Sequence, residues 1–352
     1  MKRPRIASML PAFLAIGVVL VSFPLVAGFW GRLHPALDSM AHFRIHLAVL
    51  IALLAAPLLF VQGWRQIGAA GTVLGIATLS ATLLPVQAST GSAKAETTDS
   101  PAARYRLLQL NLRYDNATPK QVFSLIGRTK PDIVTLNEVS RMWVEELKFL
   151  QAAYPYRVIC PPPARIGGVA ILSRRPFADP SAFACYDRGS MAVATVRLGA
   201  DAVEIGTLHL GWPWPFEQHR QVGRVAPVLE RLPDTAILAG DLNATPWSVT
   251  AHRVAAAGRL DLLPGVGPTW MKPIVPESLR RLVGLPIDNL FTKGRIVPFS
   301  VERLEDVGSD HLPVLFEFGI MPDDEPAEVI EVKLARNGNE GQDRLIAPHG
   351  SA

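Results

Sequence analysis

Apolar positions follow two regimes along this chain. Through about residue 87 they form long runs almost free of charge, and beyond residue 104 they form short runs that each end at a polar residue or a turn. Residues 7–30 carry no charge and are long enough to cross about 30 Å of hydrocarbon. Residues 47–61 are shorter and span only if Ile45, His46 and Gln62-Gly63-Trp64 sit in the interface. Residues 67–86 are again uncharged, rich in Gly, Ala and Thr. The expectation is a membrane region over residues 1–87 with about three transmembrane helices; one anchor plus a re-entrant hairpin is the alternative. A cleaved signal peptide fits poorly, because the first run is longer than a usual apolar core and Phe29-Trp30 is a poor cleavage site.

Basic residues in the short loops suggest an orientation. Lys2, Arg3 and Arg5 precede the first run and Arg65 lies between the second and third, against Arg32 and Arg44 between the first and second. The side with four basic residues should be cytoplasmic. The protein is then a multi-pass protein of the cell (inner) membrane, with everything after the third run periplasmic or extracellular.

Residues 88–103 are rich in Ser, Thr and Ala and read as a linker. Between 104 and 320, strand and helix patterns alternate. Residues 105–113, 132–139, 156–160, 169–173, 191–198, 203–210, 236–239, 289–292, 299–304 and 313–318 read as strands. Thr118 should cap a helix that has Pro119 at its first position and Val122, Leu125 and Ile126 on its buried face. Further helices are expected at 140–153, 216–232 and 247–257. Several strands follow one another without an intervening helix, which favours a largely antiparallel α/β sandwich over a doubly wound parallel sheet. Residues 321–352 turn acidic, then Gly- and Asn-rich, and read as a disordered tail.

Charge adds little: the net value of +4 is +4 over 1–103, +4 over 104–320 and −4 in the tail. No segment has the dense basic stripe of a dedicated nucleic-acid binder. The two cysteines, Cys160 and Cys185, are too few for a disulfide scaffold, and their spacing fits no zinc motif. Outside the cytosol they could pair; they could equally be two small buried apolar residues.

The chemistry lies at the C-terminal ends of the apolar strands. Asn111, Glu138, His209, Asp241 and Asn243 each follow such a run, and rigid strand ends are where side chains can converge on a ligand. With Asp288, Asp310 and His311 the set holds four acids, two amides and two histidines. These are hard oxygen ligands plus proton-transfer groups, suited to Mg²⁺ or Mn²⁺ rather than zinc or copper. A hard cation beside His and Asp is what hydrolysis of a phosphate ester requires.

Asn111, Asn137-Glu138, Gly240-Asp241-Leu242-Asn243, Ile287-Asp288 and Gly308-Ser309-Asp310-His311-Leu312-Pro313-Val314 stand in an order and spacing that resemble the endonuclease/exonuclease/phosphatase superfamily. That superfamily includes pancreatic-type deoxyribonuclease, abasic-site endonucleases, inositol polyphosphate 5-phosphatases and neutral sphingomyelinases. The resemblance covers essentially all of 105–320 and implies a four-layer α/β/β/α sandwich, here preceded by transmembrane helices. It implies that Glu138 is the main metal carboxylate, with Asn111 and Asp310 beside it. Asp241 would orient or deprotonate the attacking water and Asn243 would bind the phosphate. His311 would contact the scissile phosphate, oriented by Asp288, and His209 would be a general acid or phosphate ligand. Asn289 departs from the His or Tyr of many relatives, and Tyr186 matches no motif well enough to be given a role. Membrane-tethered bacterial members resemble this chain in the Trp212-Pro213-Trp214-Pro215 loop and in Thr269-Trp270. The expectation is Mg-dependent hydrolysis of a lipid-linked phosphate or phospholipid head group, with membrane lipids as partners. A nuclease, a soluble-phosphate hydrolase and a non-catalytic receptor or scaffold are the alternatives.

Overall fold

The computed structural model describes residues 6–92, 103–160, 164–179 and 183–322. Helix α1 (Ile6–Ala27) runs into a 3-10 turn at Gly28–Trp30. A short α2 (Pro35–Ala41), absent from the sequence expectation, precedes α3 (Arg44–Ala55), which continues as 3-10 turns over Ala56–Phe60. Helix α4 (Arg65–Ser92) follows, so the expected linker begins as helix; residues 93–102 lie outside the described residues. Met9–Trp30 and Arg65–Leu84 are each long and apolar enough to cross a membrane. The stretch Arg44–Phe60 qualifies only together with α2, from which it is bent by 63°. Two or three helices could therefore cross. They pack through Ala15, Val18, Ile51, Ala55 and Leu58. A Cβ at Gly71 would lie 2.8 Å from Ala55 and 2.9 Å from Val18, so glycine is what lets α4 reach both neighbours. Phe13, Leu20, Phe23, Leu53, Phe60 and Val73 point outward and exposed.

The remainder is built on two six-stranded sheets. The first contains β1 (Tyr105–Asn111), β2 (Ile133–Val139), β3 (Tyr156–Ile159), β4 (Gly168–Ser173) and, from the far end of the chain, β11 (Ile296–Arg303) and β12 (Val314–Ile320), in the order β11-β12-β1-β2-β4-β3. The second contains β5 (Phe183–Tyr186), β6 (Met191–Leu198), β7 (Asp201–Leu208), β8 (Ala236–Asp241), β9 (Asp261–Leu262) and β10 (Asp288–Lys293), in the order β5-β6-β7-β8-β10-β9. β1 runs parallel to β2 and β7 to β8; the other named pairings are antiparallel.

Three apolar layers account for this architecture. Leu107, Ile133, Ile171, Ala194, Ile205, Ile237 and Phe316 fill the space between the sheets. Helices α5 (Pro119–Thr129) and α6 (Arg141–Glu146) cover the outer face of the first sheet through Val122, Leu125, Ile126 and Trp143. Helices α7 (Gln218–Leu229) and α8 (Val249–Gly258) cover the second through Val222, Val225 and Val254. The result is the expected four-layer sandwich.

Several local expectations change. The helix expected over 140–153 is α6 followed by a 3-10 turn at Leu147–Leu150. Thr118 precedes α5 but makes no capping bond; its hydroxyl lies 2.9 Å from Asn116 Oδ1 and 3.2 Å from the carbonyl of Val307. β5, β9 and α9 (Glu277–Val283) carry too little apolar periodicity to be seen in sequence. Cys160 and Cys185 form a disulfide that ties the β3 edge of one sheet to the β5 edge of the other.

Candidate active site

One end of the sandwich gathers the strand-end polar residues. Asp241 is fully enclosed at the end of β8. Its Oδ2 accepts from the Asn111 amide at 2.9 Å and lies 3.5 Å from His311 Nε2 and 3.7 Å from His209 Nε2. Its Oδ1 accepts from the Asn243 backbone N–H at 2.8 Å. His311 Nδ1 is bonded to Asp288 Oδ2 at 2.7 Å. The Asn111 amide also reaches Glu138 Oε1 at 3.2 Å, while Glu138 Oε2 accepts from the Tyr114 N–H at 2.9 Å. Seven of the eight expected residues are thus joined by direct contacts. The eighth, Asp310, flanks His311 on the rim, where its Oδ2 accepts from the Trp270 indole at 3.2 Å. Ser309 Oγ donates to the Asn111 carbonyl and draws that segment inward.

Backbone geometry marks the same place. Arg113, Glu138 and Asn243 have φ of 56°, 57° and 47°, each just past or at the end of a central strand. Such conformations cost non-glycine residues free energy and persist where surrounding contacts hold them. Gly240 is required by crowding: a Cβ there would lie 2.0 Å from the Leu208 carbonyl oxygen.

Burial and neighbouring charge set the proton affinities. Burial pushes the Asp241 carboxyl up to about 6, partly opposed by His311 and His209. Burial alone would lower His311, but the charges of Asp288 and Asp241 overcome it and raise the imidazole to about 10. Asp288 is held below the usual carboxylate range: burial opposes this, and the charge and hydrogen bond of His311 outweigh it. The Asp241, Asp288 and His311 ligand atoms are close enough for a cation. However, Asp288 already occupies His311 Nδ1, which makes this a proton-holding pair.

The sequence reading missed the layer beneath. Gln109 Nε2 donates to Asn137 Oδ1 at 2.7 Å, and the Asp241 N–H reaches the same oxygen at 2.8 Å. Asn137 Nδ2 donates to Thr207 Oγ1 and Thr135 Oγ1 to Gln109 Oε1. This buried network ties β1 and β2 of one sheet to β7 and β8 of the other. A period-2 run of polar residues inside apolar strands, Gln109 and Asn111 on β1 and Thr135 and Asn137 on β2, was its available signal. Arg174 lies away from the cluster and donates to the Lys130 carbonyl. Asn289 donates to the Ala244 and Ile287 carbonyls and so supports the loop after β8. Trp212 packs edge-on against Trp270, with ring centroids 6.1 Å apart.

A family model described as "Endonuclease/Exonuclease/phosphatase family" matches residues 108–311, a range that contains all eight candidate site residues. The chain belongs to this family. Its members are metal-dependent phosphoester hydrolases, and the chain is an enzyme of that class. The endonuclease/exonuclease/phosphatase from Bacteroides vulgatus is 17% identical, with a TM-score of 0.50 over 62% of this chain and 100% of that one. The human Nocturnin catalytic domain with bound sulfate is 16% identical, with a TM-score of 0.50 over 62% of this chain and 95% of that one. Both likenesses are of fold. No curated protein sequence matches.

Proposed function

We propose that this family member is a membrane-anchored, Mg²⁺-dependent phosphoesterase whose substrate carries its phosphate at a bilayer surface, as a lipid-linked phosphate or a phospholipid head group. The supporting observation is the rim of the site. Trp212, Trp214 and Phe216 are 55%, 51% and 64% exposed, and Ile274, just before α9, and Leu282, on α9, are 89% and 75% exposed. Clustered exposed apolar residues on a hydrolase mark a surface that meets another apolar phase. Both rim segments touch the apolar helical region: Trp214 packs edge-on against His34, and the Val283 carbonyl lies 2.7 Å from His46 Nε2. Tryptophan favours the membrane interface.

The donor set fits a hard divalent cation. Glu138 and Asp310 carry hard carboxylate oxygens, and the Asn111 side chain lies against Glu138. In the present arrangement the Asn111 amide nitrogen faces the two acids and its oxygen accepts from the Arg113 N–H at 2.9 Å. Coordination by Asn111 would require the amide to turn. Such a cation, when bound, neutralises phosphoryl charge. Asp241, its carboxyl raised by burial, is suited to take a proton from water, oriented by Asn111 and Asn243. His311, held protonated by Asp288, would donate to a phosphoryl oxygen, with His209 opposite it and Asn243 beside the phosphate. The disulfide and the basic residues at the N-terminus support a catalytic region outside the cytoplasm. The membrane-tethered nuclease reading draws on a cavity of about 610 Å³ lined by Tyr114, Asp115, Arg141 and Arg165, with the Tyr114 N–H bonded to Glu138.

The test uses full-length protein in liposomes offered lipid phosphates, plasmid DNA and bis-p-nitrophenyl phosphate. Trp212→Ala with Trp214→Ala should lower lipid turnover about tenfold or more, a loss of about 1.4 kcal/mol, and leave the soluble ester nearly unaffected. Equal loss of both activities would make the loop structural. DNA nicking with every lipid ignored would favour the nuclease.

A further inference from the structure

The segment between the first two apolar helices reaches into the catalytic sandwich. Asp38, on α2, is only 6% exposed. A buried carboxylate is costly unless hydrogen bonds replace its water. Here three do. Asp38 Oδ1 accepts from the Val249 N–H at 2.7 Å, and Oδ2 accepts from the Thr250 N–H at 3.0 Å and the Thr250 hydroxyl at 2.9 Å. These N–H groups are unpaired first-turn donors of α8, where a negative charge is favoured. Ser248, the local cap, serves Ala251 at 3.1 Å and leaves the other two to Asp38.

Neighbouring contacts extend the clamp. His42 Nδ1 accepts from the Thr245 N–H at 3.3 Å, and the Trp247 indole donates to the Ala41 carbonyl at 2.7 Å. Arg44 bridges the Gly28 carbonyl at 2.7 Å and the Trp247 carbonyl at 3.5 Å. From the other side, Gln218 Nε2 donates to the carbonyls of Leu242 and Asn243 at 3.0 Å each, and Thr250 Oγ1 lies 3.3 Å from Gln218 Oε1. The loop from β8 to α8, which begins at Asp241 and holds Asn243 at positive φ, is gripped from both ends. One grip comes from within the sandwich and the other from the apolar helical region.

We propose that Asp38 and His42 are positioning residues of the active site, holding the Asn243–Thr250 loop so that the catalytic geometry is complete only when the membrane segment is docked. The proposal rests on the catalytic assignment of Asp241 and Asn243. A tether would fix where the enzyme works; this contact also fixes whether its loop is in working register. Misplacing a catalytic group by about 1 Å can cost about 10²-fold in rate.

The experiment uses the full chain in detergent with bis-p-nitrophenyl phosphate, so that access to a bilayer plays no part. Asp38→Ala and His42→Ala should lower kcat by about 10–100-fold with KM little changed. Asp38→Asn, which keeps an acceptor oxygen, should recover part of the loss. Trp247→Phe removes one indole donor at little steric cost and should show a smaller fall if Asp38→Ala fails to fold. Leu53→Ala, on the outward face of α3, serves as the control with unchanged kcat. The melting temperature of each variant separates unfolding from mispositioning. Wild-type kcat in both Asp38→Ala and Trp247→Phe, with Asp241→Asn inactive, would overturn the inference and leave the catalytic assignment standing. An active Asp241→Asn would overturn the assignment itself.

Discussion

Asp241 is the most connected side chain of the site. Its two oxygens meet Asn111, Asn243, His311 and His209, so its role can be tested apart from its packing. Asp241→Asn keeps the shape and removes the base; His311→Ala removes the donor. Each should lower kcat by about 10²–10⁴-fold, measured on a soluble diester, with thermal unfolding near that of the parent. Asp288→Asn should cost less, because Asp288 acts through the His311 imidazole. Near-normal rates for Asp241→Asn and His311→Ala in folded protein would move the active site elsewhere. Asp241 could be read from the chain because a polar residue closing an apolar strand is a local pattern, and Asp288 and His311, which open β10 and precede β12, stood out by motif spacing. Their support could not. Asn137 finds Thr207 70 positions away and Gln109 finds Asp288 179 positions away. A polar residue inside a strand reads only as an interruption until its partner is known.

Strands β3 and β5 lie at the edges of different sheets, and the Cys160–Cys185 bond joins them across 25 positions of sequence. Closing a loop of that size restricts the unfolded chain and contributes about 3 kcal/mol. Cys160→Ala with Cys185→Ala, or reduction of the parent, should lower the melting temperature by about 6–12 °C, taking about 2–4 °C per kcal/mol at this domain size. Turnover below the transition should barely change, since neither sulfur touches the site. An unchanged melting temperature would show that the sheet edges are held by packing alone. The strand pattern foretold β3, whereas β5 alternates exposed and half-buried residues and carries no signal strong enough to stand out.

Two expectations concern the assembled protein. Chelation should abolish hydrolysis, and Mg²⁺ or Mn²⁺ should restore it; full activity in chelator would remove the cation from the mechanism. The second concerns sidedness. In the proposed membrane arrangement, the docking of α2 on the loop after β8 puts the segment between the first two apolar helices on the same side of the bilayer as the sandwich. An even number of crossings then separates them on the three-span reading, in which Arg44–Phe60 crosses while α2 stays with the sandwich. A reporter that needs export, fused after Phe318, should be active, and a reporter that needs the cytosol should be silent. The reverse result would turn the topology over.

Apolar periodicity and the polar residues that end it are properties of neighbours, so the chain declared its apolar helices, most of its strands and five of the eight candidate site residues without a structure; Asp288, Asp310 and His311 came from motif spacing. It also carried the motif spacing that marks the family. Sheet order, the disulfide, the Gln109–Asn137–Asp241 network and the docking of Asp38 on α8 were of another kind. Asp38 and Val249 are 211 positions apart, and nothing near Asp38 says that a helix end waits for its charge. Contacts of that span form only after burial of the apolar layers has offset the entropy of closing the intervening chain, so they belong to the folded molecule and are invisible in any local stretch of it.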